Sequence, residues 1–500
     1  MTWWALALGV VWLIRLSRFV ALAQQKEYRL DRLKLFFSTD EGLLELLRFI
    51  PGLRDFSRTG FKRPKLTARV LAVVATTLIL YGLVGLALAW QLPQLTPERG
   101  WLLAVASGAL AIILVPVFVG VSILPSAVVA AWQTSQVLAR ASAVLNQRQP
   151  LIIGITGSYG KSSTKQLLTH VLRSRYTVFA TPRSFNTRYS VANSIVTGYH
   201  GESIAVLEFG AYGPGEIAAL ASRFVPKIAV VTGITKQHLG LFTSLQHIIR
   251  AKSELVAALA GAGSVFYNDI LPQVKQIVDQ GLKRNREAAS ISVYPASAQS
   301  MVRHLSAAKL DTLGRLSFAW GVQRVHTRLV GMHYFEILKL VIAVAAKLDV
   351  NRDQIISALE TFAPSGTFIS AYELKSGARV IDDGGTSNPQ GFRAALDLVA
   401  HLPGKKPEQI ILVTPGIVDL GGESDAIHAQ LAKLATEVAS QVWYVGQSGK
   451  DQFALQFKTE FTADQELIED QLNRLNHDTM ILIEGKMPGW FSQALNAHKE

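Results

Sequence analysis

The chain has 500 residues, too many for one ordinary domain; at 49% hydrophobic and 17% charged it is neither disordered nor composed like a purely soluble enzyme. It contains no cysteine, which excludes disulfides, thiolate metal sites, iron–sulfur ligation and a cysteine nucleophile, and leaves the redox compartment open. The net charge of +13 does not point to nucleic acid, because residues 1–69 alone hold 13 Lys+Arg against 6 Asp+Glu, beside the apolar front of the chain where a membrane accounts for them.

Residues 1–148 read as a membrane anchor. Residues 3–14 are apolar up to Arg15 and Arg18, and the spacing predicts a short span near 3–21 with both arginines snorkelling to the interface. A signal peptide is the alternative, although no small-residue cleavage site follows Val20. Residues 70–90 and 101–124 carry no charge and reach the roughly 20 apolar residues that a helical crossing needs. A tight re-entry loop, QLPQLTPERG, joins them, and Pro125 is expected to mark a break or a fresh helix start. Lys62, Arg63, Lys65 and Arg69 precede the second span, whereas the re-entry loop has only Arg99. The positive-inside rule then puts the 22–69 segment and everything after about residue 140 on the cytoplasmic side of the cell membrane. Buried core helices are the alternative to spans.

Residues 149–500 alternate strand and helix patterns. Short aliphatic runs at 151–155, 204–207, Ile228–Val231 and Ser264–Tyr267 alternate with helical spacing at 161–173, 215–223 and 244–260. A second series places strands at 379–381, 410–413, 442–445 and 480–483, with helices at 391–400 and 426–439, and a helical stretch at 331–364 joins the two. The expected fold is α/β: transmembrane helices, a phosphate-loop parallel-sheet ATPase domain at 149–330, and a smaller Rossmann-like α/β domain at 331–500.

The chemistry begins at residues 154–164, GITGSYGKSST, where a strand enters a glycine-rich turn that opens a helix. Gly157 and Gly160 free the backbone amides, Ser158 among them, to turn toward phosphate oxygens. Lys161 suits the β- and γ-phosphates, the Ser162 hydroxyl suits Mg²⁺, and the helix N-terminus at Ser162 and Ser163 adds positive potential. Ile155 stands where the strict phosphate-loop pattern has its first glycine, so a plain surface turn before a helix is the competing reading. Glu208 ends a strand and offers the hard oxygen that Mg²⁺ prefers, or is an ordinary exposed carboxylate. His238 is a loop imidazole able to bind a metal or to remain at the surface, and Lys252 on its own would be a solvated lysine.

The segment resembles the phosphate loop of the Mur ligase family, which typically reads G-x-T-G-[ST]-x-G-K-[ST]. Three further stretches resemble the family in order: TPRSFNTR (181–188) with Asn186, AVLEFGAYGPGEIAALA (205–221) with Glu208, and the 226–256 segment with His238 and an Ala-Lys-x-Glu helix containing Lys252. Within the family the likeness is to the branch that adds D-alanyl-D-alanine to a UDP-muramoyl tripeptide. The resemblance implies ATP as substrate, two Mg²⁺ ions held by Ser162, Glu208, His238 and a carbamylated Lys252, and amide formation through an acyl phosphate. It gives catalytic roles to Lys161, Lys252 and His238, and nucleotide contacts to Gly157, Ser158, Gly160, Lys161, Ser162, Ser163, Asn186, Asp383 and Asn388.

The second half departs from the family pattern. Tyr334 and Ile337 replace two asparagines, Thr367 an arginine, and Asp419 a glutamate, while Gly385, Thr386 and Ser387 replace Tyr-Asn-Ala within IDDGGTSNPQGF (381–392). IEGKMP (483–488) lies where the family often has Lys-Gly-Ser-Arg. Asp383 is thus either a nucleotide contact or an Asx-turn carboxylate. At the front, the apolar segment stands in place of the family's soluble UDP-sugar domain. The expected function is a membrane-tethered, ADP-forming acid–amino acid ligase of peptidoglycan precursor synthesis, acting on a muramoyl peptide that is UDP- or lipid-linked, with the bilayer as partner and no nucleic acid. A poly-γ-glutamate synthase-type ligase and a catalytically impaired nucleotide-binding scaffold are the alternatives.

Overall fold

The computed structural model describes residues 2–38, 40–49, 64–91, 97–234, 244–293, 301–311, 314–366, 368–385, 388–402, 410–418, 420 and 423–499. It divides into two compact units, Met1–Gln136 and Val137–Glu500.

The first unit is helical. Its long helices are Thr2–Gln25, Ala68–Gln91, Pro97–Ile113 and the first part of Val115–Arg148, with two short helices at Leu30–Phe37 and Asp40–Leu47. Among the described residues three helical stretches are long and apolar enough to cross a membrane: Leu6–Gln25, Ala68–Leu88 and Val115–Arg148. Leu16, Phe19, Val20, Val73, Val119 and Ile123 pack inside the unit, while Leu78, Ile79, Leu83, Leu86 and Trp90 face outward, an apolar surface that water would not favour. The buried hydroxyls of Thr77 and Ser122 bond at 2.9 Å and satisfy each other across two helices.

Two expectations change here. Arg15 and Arg18 do not snorkel away from the unit. Arg15 is buried and donates to the carbonyls of Arg48 (2.6 Å) and Leu46 (2.8 Å), and Arg18 pairs with Glu45 at 2.5 Å. The C-terminus of helix Asp40–Leu47 has unsatisfied carbonyls and a negative dipole end, and the arginines satisfy both. Nor is Pro125 a break, since it lies inside helix Val115–Arg148. The interruption falls at Leu114, just ahead of Pro116, because a proline in the first turn forgoes an amide that no helical carbonyl would accept.

The second unit contains three sheets. The first is six-stranded and wholly parallel, in the order β2 (Val178–Ala180), β3 (Ile204–Glu208), β1 (Leu151–Thr156), β4 (Ile228–Val231), β5 (Ser264–Tyr267) and β6 (Ala289–Ser292). β3 and β4 are buried throughout, as strands covered by helices on both faces must be. The end of helix Val115–Arg148 joins one face through Leu138, Ala141 and Leu145. Helices Tyr334–Lys347 and Arg352–Thr361, which read from the sequence as a connection, share the core of the other face with Ile153, Leu167 and Leu168.

A three-stranded antiparallel sheet, β7 (Leu305–Leu310), β8 (Arg315–Trp320) and β9 (Gln323–Val330), packs on that core through Leu316, Phe318, Trp320 and Val325. The third sheet has the order β10 (Ser370–Glu373), β11 (Arg379–Asp383), β15 (Met480–Glu484), β12 (Ile410–Thr414), β13 (Gln441–Tyr444) and β14 (Phe461–Thr462). Only β10 runs antiparallel to its neighbour.

In the first sheet the chain leaves β1 for β2 and β3 on one side, then crosses to β4 on the other. The carboxyl ends of β3, β1 and β4 therefore lie side by side at a topological switch point, where open α/β sheets bind ligands.

Candidate functional site

Register fixes what meets at that edge: Ile155 pairs with Glu208 across β1–β3, and Thr156 with Val231 across β1–β4. Beyond Thr156 the chain turns at Gly157 (φ 155°) and Gly160 (φ 76°) into helix Lys161–Leu172. Glycine is required at 157 on space as well as conformation, because a Cβ there would lie 2.0 Å from Thr232 Oγ1. Thr232 Oγ1 in turn donates to the carbonyls of Tyr159 (2.5 Å) and Thr156 (3.3 Å), stapling the turn to the end of β4. The Ser158 amide donates to the Gly233 carbonyl at 2.7 Å.

Four charged side chains crowd this turn. Lys161 Nζ donates to the carbonyls of Gly157 (2.7 Å) and Ser158 (3.2 Å), and Lys252 Nζ donates to the same Gly157 carbonyl at 2.8 Å. Lys165 Nζ lies 3.1 Å from Glu208 Oε2, with both side chains almost wholly buried, and it also donates to the Arg183 carbonyl. Ser162 Oγ donates to the same carboxylate oxygen at 2.9 Å, and Asn186 Nδ2 donates to Oε1 at 3.1 Å. Ser163 follows, buried in the first helical turn.

The crowding sets the titration. Burial lowers Lys161, partly opposed by Glu208 and reinforced by Lys165. Burial lowers Lys165 as well, opposed by its pairing with Glu208. Lys252 falls well below an ordinary lysine, first through burial and then through the neighbouring Lys161 ammonium. A buried amine held toward its neutral form is nucleophilic.

The structure thus brings Gly157, Ser158, Gly160, Lys161, Ser162, Ser163, Asn186, Glu208 and Lys252 to one edge. His238, like Thr367 and Asp419, lies outside the described residues. Glu208 is not an ordinary exposed carboxylate, being 1% exposed and held by three side chains. Lys252 is not a solvated lysine. Glu254, two residues on, turns away and caps helix Glu216–Ala221 by accepting from the Gly215 and Ala218 amides at 2.6 and 2.9 Å.

Asp383 ends β11 of the third sheet, and Asn388 precedes the helix that follows that strand. Asn388 Oδ1 accepts from the amides of Gln390 (3.2 Å) and Gly391 (3.0 Å) and so caps helix Pro389–Ala400. Asp383 at the end of β11 sits in register with Glu484 at the end of β15. Burial, opposed by a hydrogen bond with Glu484 and aided by Asp382, pushes the Asp383 carboxyl up to about 7. The Asx turn belongs to Asp382, whose Oδ1 accepts from the Gly384 amide at 2.9 Å.

Lys165 was not singled out by the motif, although its i+4 spacing from Lys161 puts both on one helix face. The glycine at 233 also has a local reason: a Cβ there would lie 1.9 Å from the Tyr159 ring. A larger residue at 233 therefore requires the Tyr159 ring to move.

Residues 155–346 match the Mur ligase middle domain. The chain is 30% identical over 310 residues to the UDP-N-acetylmuramoyl-tripeptide–D-alanyl-D-alanine ligase of Mycobacterium leprae, covering 57% of this chain and 59% of that protein. It is 23% identical over 340 residues to the enzyme of the same name from Bacillus subtilis, covering 68% and 70%. The chain thus spans less than two thirds of the mycobacterial relative. In fold it is similar to MurF from Acinetobacter baumannii (TM-score 0.61, 22% identity, 73% of this chain and 80% of that one). It is likewise similar to MurF ligase from Thermotoga maritima in complex with ADP (TM-score 0.62, 21% identity, 73% and 83%).

Proposed function

We propose, from the match of residues 155–346 to the Mur ligase middle domain, that this chain is an ATP-dependent, ADP-forming amide ligase of peptidoglycan precursor synthesis. We further read it as anchored in the cell membrane by its apolar helices, with the catalytic domains on the cytoplasmic side. The carrying observation is the convergence of Lys161, Lys252, Ser162 and Glu208 at the turn around Gly157.

The acceptor is a muramoyl peptide bearing a free carboxylate, and the donor an amino acid or D-alanyl-D-alanine, as the relatives' names support. A carboxylate oxygen attacks the γ-phosphorus of ATP, the bond to the bridging oxygen breaks, and ADP leaves an acyl phosphate. The amine nitrogen then attacks the acyl carbon, phosphate departs, and the nitrogen loses its proton. Neither step needs a protein nucleophile, so the lack of cysteine carries no penalty. The loop amides, the N-terminus of helix Lys161–Leu172 and Lys161 hold the triphosphate and oppose its charge.

The Ser162 hydroxyl and the Glu208 carboxylate, 2.9 Å apart, are hard oxygen donors that fit Mg²⁺. His238 and a carbamylated Lys252 would complete a second Mg²⁺ site. Bound Mg²⁺ supplies neutralisation of phosphate charge. The depressed basicity of Lys252 supports its carbamylation, since the reaction with CO₂ needs a neutral amine. Asp383 stays in this reading as a nucleotide-side residue; Asn388 enters it through the helix that it caps.

The apolar helices ahead of the phosphate loop favour a lipid-linked acceptor. The test is ADP release by the full chain with UDP-linked and lipid-linked muramoyl peptides, each paired with D-alanyl-D-alanine or glutamate. Turnover is expected with the lipid-linked acceptor and is expected to vanish in Lys161→Ala. Retained turnover in that variant would refute the assignment of the loop, and polymer formation from glutamate alone would favour a poly-γ-glutamate synthase.

A further inference from the structure

Among the described residues, Lys161, Lys165, Lys252 and the carboxylate of Glu208 gather at the phosphate loop. Lys165 is the lysine that the proposed reaction leaves unused. It is 2% exposed and one helical turn beyond Lys161, and its Nζ lies 3.1 Å from Glu208 Oε2. That oxygen also accepts from Ser162 at 2.9 Å, while Oε1 accepts from Asn186 at 3.1 Å. The carboxylate expected to bind a divalent cation is thus already ion-paired, and the hydroxyl beside it already donates to it. Among the described residues no group of three or more His, Asp or Glu is arranged to hold a metal. A hydrated divalent cation arriving alone would meet the Lys161 ammonium as well and would have to compete with Lys165 for Glu208. Like charges at such distances in a buried site oppose its entry strongly. A nucleoside triphosphate reverses the balance, because its oxygens answer the ammonium groups of Lys161 and Lys165 and add to the oxygen ligands offered by Ser162 and Glu208.

We infer that Lys165 is a resident counter-ion of Glu208 that makes divalent-cation binding at Ser162 and Glu208 conditional on nucleotide. Lys165 is a positioning residue: it holds Glu208 aimed at the loop, and it keeps the cation out until the triphosphate is present. The inference rests on the nucleotide reading above and goes beyond it by giving the order of binding, nucleotide first or the nucleotide–cation complex together, never the cation first.

The test uses the full chain in detergent and Mn²⁺ as probe, with the free aquo ion followed by electron paramagnetic resonance, with and without a non-hydrolysable ATP analogue. For the wild type the analogue is expected to tighten Mn²⁺ binding at least tenfold. Lys165→Met is expected to bind Mn²⁺ without nucleotide at least tenfold more tightly than the wild type does. Adding Glu208→Gln should remove that gain, and Lys165→Arg should keep the wild-type dependence. A Lys165→Met protein whose nucleotide-free Mn²⁺ binding equals that of the wild type overturns the inference, and so does tight Mn²⁺ binding by the wild type without nucleotide. If Lys165→Met does not fold, Lys165→Gln replaces it and the wild-type comparison still decides. Failure of the wild type to bind the analogue at all would instead overturn the nucleotide reading.

Discussion

The first and third sheets of the second unit are built alike and charged oppositely. Both present the carboxyl ends of adjacent parallel strands to a loop and a helix N-terminus. At the first, Glu208 is matched by Ser162, Asn186 and Lys165, with Lys161 and Lys252 alongside. At the third, Asp383 faces another acid, Glu484, in the neighbouring strand. The composition follows the same division: residues 149–330 hold 20 Lys+Arg against 8 Asp+Glu, and residues 331–500 hold 14 against 22. One scaffold thus yields a lysine-rich edge and an edge where two acids face each other, and a few strand-end residues make the difference.

The sharpest way to break this comparison is to remove Glu208 from the basic edge. Glu208→Gln leaves Lys165 buried without its counter-charge, and the expected loss of stability is about 3–5 kcal/mol, read from the denaturation midpoint. An unchanged midpoint would mean that the lysines are not constrained as described.

The two edges should also respond to pH with opposite signs. Lys252 has a depressed basicity in the folded chain, so the unfolded chain binds more protons and stability rises with pH up to about 10.5. Asp383 is raised from 3.8 to about 7, so the folded chain binds more protons and stability falls as pH rises across that interval. Asp383→Asn should match the wild type near pH 4 and gain on it toward pH 7, by up to about 1.4 kcal/mol per pH unit. Lys252→Met should flatten the rise instead, measured in CO₂-free buffer. Parallel stability curves for both variants and the wild type would contradict the assignment.

Smaller effects refine the picture. Gly233→Asn drives a side chain into the Tyr159 ring and should cost about 1–3 kcal/mol. Tyr159→Ala should recover most of that cost in the double variant, as a double-mutant cycle on thermal stability would show. Asn388→Ala removes a helix cap and should cost about 1 kcal/mol, with Asn388→Asp near the wild type.

The sequence was most legible where chemistry and local structure coincide. A strand, a glycine turn and a lysine-led helix define the loop within a dozen residues, and the aliphatic runs locate the strands that end at Glu208 and Val231. Lys165 was hidden because a lysine on a polar-looking helix reads as solvated until the helix is seen to press that face against β3. β2, three residues long, is too short to show a period. The alternating QRVHTRLV of β9 does carry a period of two, but it sits within an α/β rhythm that invites a parallel reading. The partners of Arg15 are carbonyls more than 30 residues away, which no local pattern reveals. Asn388 illustrates the converse: an asparagine before a proline-led helix serves equally as a cap, and the hydrogen bonds identify it as one.

The central claim is that the turn at Gly157 with Lys161, Lys252, Ser162 and Glu208 holds a nucleoside triphosphate. Its most direct test is calorimetric titration of the full chain with a non-hydrolysable ATP analogue and Mg²⁺, beside the same titration of Lys161→Ala. Saturable one-to-one binding that weakens at least a hundredfold in the variant is the predicted result; equal binding by both proteins, or none by the wild type, would contradict the account.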